Sequence, residues 1–124
     1  MVSVPYPFQG KILDLDGLRY HYLDEGSGPP VVMVHGNPTW SFYYRDLVLA
    51  LRGRYRAVAP DHIGCGRSDK PDDSRYEYTL ERRVQDLGAL IDHLGFDKVT
   101  LVVHDWGGMI GFTWATQNPD RIQR

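Results

Sequence analysis

The sequence predicts an α/β fold: a mostly parallel sheet with helices on both faces and an antiparallel hairpin at one edge. Three observations carry this. Val31 to Val34 and Val99 to Val103 are apolar at nearly every position, as befits strands buried on both faces. Segments of helical periodicity alternate with such strands, which implies right-handed βαβ crossovers. Near the N-terminus, Asp16-Gly17 separates two β-prone runs, a strong short-range hairpin signal.

Taken in order, Lys11 to Leu15 and Leu18 to Leu23 form the hairpin, with Tyr20 and Tyr22 on one face. Gly26 to Pro30 is a loop, followed by the strand Val31 to Val34. Helical periodicity spans Ser41 to Leu51, with Phe42, Leu47, Leu49, Ala50 and Leu51 as apolar candidates and Arg52-Gly53 as the stop. A short strand, Arg56 to Ala59, leads into the loop Pro60 to Pro71. Thr79 is placed to cap a helix whose Leu80, Val84, Leu87, Ile91 and Leu94 recur at spacings of three and four, and Gly95 closes it. The last strand, Val99 to Val103, runs into a small-residue helical pattern that begins at Trp106, where Gly107 and Gly108 let a helix approach the strand closely.

That junction, VVHDWGG, has the strand, sharp turn and helix context of a nucleophile elbow, which lifts one side chain above the sheet among backbone N–H donors. The raised residue is Asp105. The serine form of the motif is G-x-S-x-G, and here Val103 stands for the first Gly and Asp105 for Ser. A carboxylate with an ordinary pKa of about 3.9 is already ionised at neutral pH, so it can attack a saturated carbon without a base to activate it. The competing reading of a lone Asp here is an N-cap of the following helix. Topology favours catalysis. Ligands of parallel sheets sit beyond the carboxyl ends of the strands, where both His35-Gly36-Asn37-Pro38 and His104-Asp105-Trp106 fall.

Composition narrows the function further. With 42% hydrophobic residues, a net charge of −2 and no basic block, the 124 residues fit one domain with a core and a small, neutral partner, not nucleic acid or a membrane surface. Cys65 is the one cysteine, so no internal disulfide forms. No signal sequence and no apolar run of membrane-spanning length is apparent, which gives a cytoplasmic expectation. His35 and His62 each follow a strand and are expected to bond loop backbone; His104 should point away from Asp105 by strand alternation. Their spacing matches no metal-ligand pattern, and no cofactor is expected. Trp40, Phe42, Tyr43 and Tyr44 are expected mainly in the core.

The pairing of VVMVHGNPTWS with VVHDWGG, separated by APDHIGCGRSDKP, resembles the haloalkane dehalogenase branch of the α/β-hydrolase superfamily over most of residues 20 to 121. The resemblance implies that Asp105 attacks the carbon bearing the halogen, forming an alkyl-enzyme ester. It implies further that Asn37 and Trp106 donate N–H bonds to the departing halide, with no metal or cofactor. A close relative is the β-lactone decarboxylase of olefin biosynthesis, similar in HGNPTWS, PDHIGCGRSDKP and VHDWGGMIGF, and His62 tilts toward it. Epoxide hydrolases share H-D-W-G but usually carry an apolar residue in place of Asn37. A non-catalytic binding protein of this fold is the remaining alternative. In the family a His with an acidic partner follows a helical cap late in the chain, which places the general base beyond Arg124. Residues 1–124 are therefore expected to be one incomplete domain, the N-terminal part of about 300 residues. It should lack cap and C-terminal strands, leave the far edge of Val99 to Val103 unpaired, and be inactive alone.

Overall fold

The structure is a computed structural model that describes residues 6–124. Five strands form one sheet in the order β1-β2-β4-β3-β5: β1 (Lys11–Leu15), β2 (Leu18–Glu25), β3 (Pro30–Val34), β4 (Arg56–Pro60) and β5 (Thr100–Val103). The β1–β2 hairpin is antiparallel and pairs antiparallel to β4, while β4, β3 and β5 run parallel. Asp16 and Gly17 both have positive φ, 52° and 87°, the conformation that a two-residue hairpin turn requires of its central pair.

Strand alternation divides the interior in two. Tyr20, Tyr22, Val32, Val34 and Val58 face helices α2 (Leu80–His93) and α3 (Trp106–Gln117), where they meet Leu87, Ile91, Ile110 and Trp114. Leu23, Val31, Met33, Ala57 and Ala59 face the other way, against α1 (Arg45–Leu51). The hairpin, the strands and α2 follow the sequence reading within a residue or two, and Thr79 Oγ1 caps α2 by accepting the N–H of Arg82 at 3.2 Å.

Three local expectations are corrected. Ser41 to Leu51 is not one helix: Ser41–Tyr44 is a 3₁₀ turn, and α1 follows it. Its buried apolar residues are Tyr44 and Val48, whereas Ala50 is exposed, so the apolar stripe is set by a spacing of four from Tyr44. The far edge of β5 is partly covered. The N–H groups of Val99 and Leu101 donate to the carbonyls of Arg121 and Arg124 at 2.9 Å, and Gln123 returns its N–H to Val99 O at 2.8 Å. The glycine pair is also reassigned. A Cβ on Gly107 would run into the Val34 carbonyl of β3 and one on Gly111 into Val103 of β5, but Gly108 has only Val103 Cγ2 within 4.0 Å. The close approach is made one turn apart, by Gly107 and Gly111.

Candidate active site

Asp105 joins β5 to α3 with φ 57° and ψ −129°, a conformation unfavourable for a residue with a Cβ. Two main-chain bonds close the turn: Gly107 N–H to His104 O at 2.9 Å and Gly108 N–H to Asp105 O at 2.8 Å. The Asp105 side chain makes no capping hydrogen bond to α3. Its Oδ2 instead accepts the main-chain N–H of Asn37 at 3.1 Å, a contact between the ends of two adjacent parallel strands. The N–H groups of Trp106 and Asn37 hold the carboxyl below its ordinary range, so the exposed side chain is an anion at neutral pH.

Sequence reasoning brought Asp105, Asn37 and Trp106 together, and the structure does place them side by side. Asn37 engages Asp105 through its backbone, not its carboxamide, and the Trp106 side chain is half exposed. Gly36 carries no local sequence signal of its role. A Cβ there would lie 2.5 Å from Asp105 Cβ and 2.8 Å from Oδ2, so only glycine lets the two strand ends meet. Asn37 is followed by the cis Asn37–Pro38 peptide.

Gly36, Asn37 and Trp106 form one side of a cavity of about 400 Å³ whose other walls are His62, Cys65, Tyr78, Thr79, Leu80, Arg83 and Ile110. The contribution from the start of α2 had no signal in the sequence, because nothing in its periodicity tells that its first turn overhangs the ends of β3 and β5. Cys65 reaches the wall from the loop between β4 and α2.

Histidines behave largely as expected. His35 is fully buried, its Nδ1 lying 2.7 Å from the Gly36 carbonyl and its Nε2 accepting the N–H of His62 at 3.0 Å. His62 Nε2 lies 2.9 Å from the carbonyl of His35. Burial lowers the pKa of both, that of His62 to about 3. His104 stacks on Tyr43 with ring centroids 4.6 Å apart, on the face opposite α2. Of the four aromatics after Asn37, Tyr44 is core and donates its hydroxyl to Val34 O at 2.9 Å. Trp40 and Phe42 stack on each other and meet Tyr6 at a tilt, Tyr43 is exposed, and none lines the cavity.

Beside His62, Asp61 is a fully buried carboxylate. Its Oδ1 accepts Ser41 N–H at 2.6 Å; its Oδ2 lies 2.9 Å from His21 Nδ1 and accepts Arg67 N–H at 3.0 Å. Burial alone would raise its pKa, but the bonds from His21, Arg67 and Ser41 outweigh that and lower it. Asp61 thereby anchors the far end of the loop that carries Asn37.

Among the described residues no cluster of His, Cys, Asp or Glu is arranged to hold a metal ion, and no helix is long and apolar enough to cross a membrane. The arrangement offers an ionised carboxylate with main-chain N–H donors beside it and, lined by the neighbouring Gly36, Asn37 and Trp106, a partly open cavity.

Comparison with known proteins agrees with the fold. The family model described as "alpha/beta hydrolase fold" matches residues 29–124. A cis-3-alkyl-4-alkyloxetan-2-one decarboxylase of Shewanella oneidensis is 57% identical over 125 residues, covering all of this chain and 39% of the relative. A haloalkane dehalogenase of Mycobacterium tuberculosis is 45% identical, covering 95% of this chain and 41% of the relative. Among solved structures, an epoxide hydrolase of Vigna radiata superposes with a TM-score of 0.86 at 41% identity, over 94% of this chain and 37% of that one. The chain thus spans about two fifths of the length of the relatives it matches. With a family model over most of its length and the fold to match, the chain belongs to the α/β-hydrolase fold family.

Proposed function

We propose that the intact protein is a β-lactone decarboxylase in which Asp105 is the nucleophile. The observation that carries this reading is the Asp105 carboxylate itself: ionised, held on a strained turn, and bonded to Asn37 N–H beside a cavity of about 400 Å³. The substrate class is taken from the relative with 57% identity, whose name specifies a cis-3-alkyl-4-alkyloxetan-2-one. An Asp105 oxygen attacks C4, the saturated ring carbon that bears the ring oxygen. The carbon–oxygen bond breaks and its electron pair goes to the freed carboxylate, leaving a β-carboxy ester on Asp105. The bond to that carboxylate then cleaves, carbon dioxide departs, and the electron pair forms the alkene as the Asp105 carboxylate is expelled. Atoms balance without water, and the nucleophile is regenerated without a general base. Asn37 and Trp106 flank Asp105, where N–H donors can hold the oxygen on which charge develops.

The second reading is a haloalkane dehalogenase, supported by the same Asn37 and Trp106 pair and by the relative with 45% identity. Here the leaving group is halide, and the ester must be hydrolysed by water that a base activates. Incubating the intact protein separately with a cis-dialkyl oxetanone and a dibromoalkane decides between them. Alkene and carbon dioxide from the first support decarboxylation, and bromide from the second supports dehalogenation. A protein that yields neither product overturns both readings.

A further inference from the structure

We infer that His35 and His62 are positioning residues, a pair of neutral imidazoles that clamp the Gly36–Asn37 peptide so that its N–H is aimed at Asp105. The inference rests on the reading of Asp105 as the reacting carboxylate. A trans peptide points its C=O and its N–H in opposite directions, so fixing one end aims the other. The Gly36–Asn37 peptide is held at both. Its carbonyl lies 2.7 Å from His35 Nδ1, and its N–H donates to Asp105 Oδ2 at 3.1 Å. A carbonyl only accepts, so His35 must carry its proton on Nδ1.

His62 enforces that choice. Its main-chain N–H donates to His35 Nε2 at 3.0 Å, which requires a bare nitrogen there. Its own Nε2 lies 2.9 Å from the His35 carbonyl and so must carry a proton. Two successive carbonyls, those of His35 and Gly36, are thus each turned toward an imidazole donor. Adding a proton to His35 would set an N–H against the N–H of His62 inside the core. Both rings are buried, at 0% and 4% exposure, with centroids 4.0 Å apart, so neither can rotate to relieve that conflict. Burial shifts both toward the neutral form, in agreement with the bonding. His62 also lines the cavity, so the clamp couples its wall to the loop that carries Asn37.

The test has two arms. Nitrogen NMR of the protein labelled at histidine reports which ring nitrogen is protonated. The expected result is an Nδ1–H tautomer for His35 and an Nε2–H tautomer for His62, both unchanged across about pH 5 to 8. An Nε2–H tautomer at His35, or titration of either ring in that range, overturns the clamp. In the second arm, His62→Phe and His35→Gln are assayed in the intact protein on whichever substrate it turns over. His62→Phe should lower kcat by about 10- to 100-fold with KM little changed, because a misaimed donor weakens the transition state and not substrate binding. His35→Gln, whose amide N–H can still reach Gly36 O, should lose less than His35→Ala. A folded His62→Phe protein with unchanged kcat overturns the proposal. If the unsubstituted protein shows no turnover while the tautomers are as stated, the reading of Asp105 fails and the clamp stands.

Discussion

Asp105 and Asn37 are expected to fail in different ways when replaced. On the proposed mechanism Asp105→Ala removes the atom that forms the bond, so turnover should vanish while the substrate still binds; binding measured by calorimetry alongside product formation checks this. Asn37→Ala keeps the main-chain N–H that touches Asp105 and removes only the carboxamide, so a loss of about 10²- to 10³-fold in kcat would assign the carboxamide to the leaving group. A loss of less than about tenfold would leave the backbone donor as the working one. Gly36→Ala should be harmful through packing, since the new Cβ would lie 2.5 Å from Asp105 Cβ and must push the two strand ends apart. Overpacking of this kind costs about 1–3 kcal/mol, measurable as a lower urea midpoint.

At the scale of elements, the strands and helices were legible wherever one periodicity ran unbroken. Val31 to Val34, Leu80 to His93 and the Asp16-Gly17 turn have a single physical explanation each, and the structure agrees. Ser41 to Leu51 misled because its aromatic and leucine residues suit either the 3₁₀ turn or the α-helix, and tertiary contact through Tyr44 decides which. The Asp105, Asn37 and Trp106 grouping was legible because topology alone brings strand ends together. The opposite wall of the cavity was not, since the tilt of α2 depends on core packing by Leu87, Leu90 and Ile91 that no local pattern encodes. Gly107 illustrates the same limit: its role is contact with β3, a strand some seventy residues earlier, and not with β5 next to it. Gly107→Ala should therefore detach the start of α3 from the sheet, visible as faster hydrogen exchange at Gly108 and beyond, whereas Gly108→Ala should be tolerated.

For the molecule as a whole, acid should act in two stages. His35 and His62 have folded pKa values below the unfolded value of about 6.5, so their contribution is complete above that pH and declines as pH falls below it, because the unfolded chain takes up protons the native state refuses. Asp61 and Asp24, the latter bonded to Arg56 at 2.7 and 2.8 Å, also have lowered values, so their contribution is lost further down, as pH falls below about 3.9. Urea midpoints measured as a function of pH should fall first near pH 6 and again below pH 4, and His62→Phe should flatten the first decline. Asp61→Ala should cost about 3–5 kcal/mol at neutral pH, because it strands buried donors from three segments. The placement of Cys65 has a practical consequence. It is the one thiol among these 124 residues and it lies in the cavity wall, so a disulfide-forming library that reacts at Cys65 would sample that space. Mass spectrometry of the captured adducts would then map the shape of acceptable alkyl chains without a single catalytic turnover.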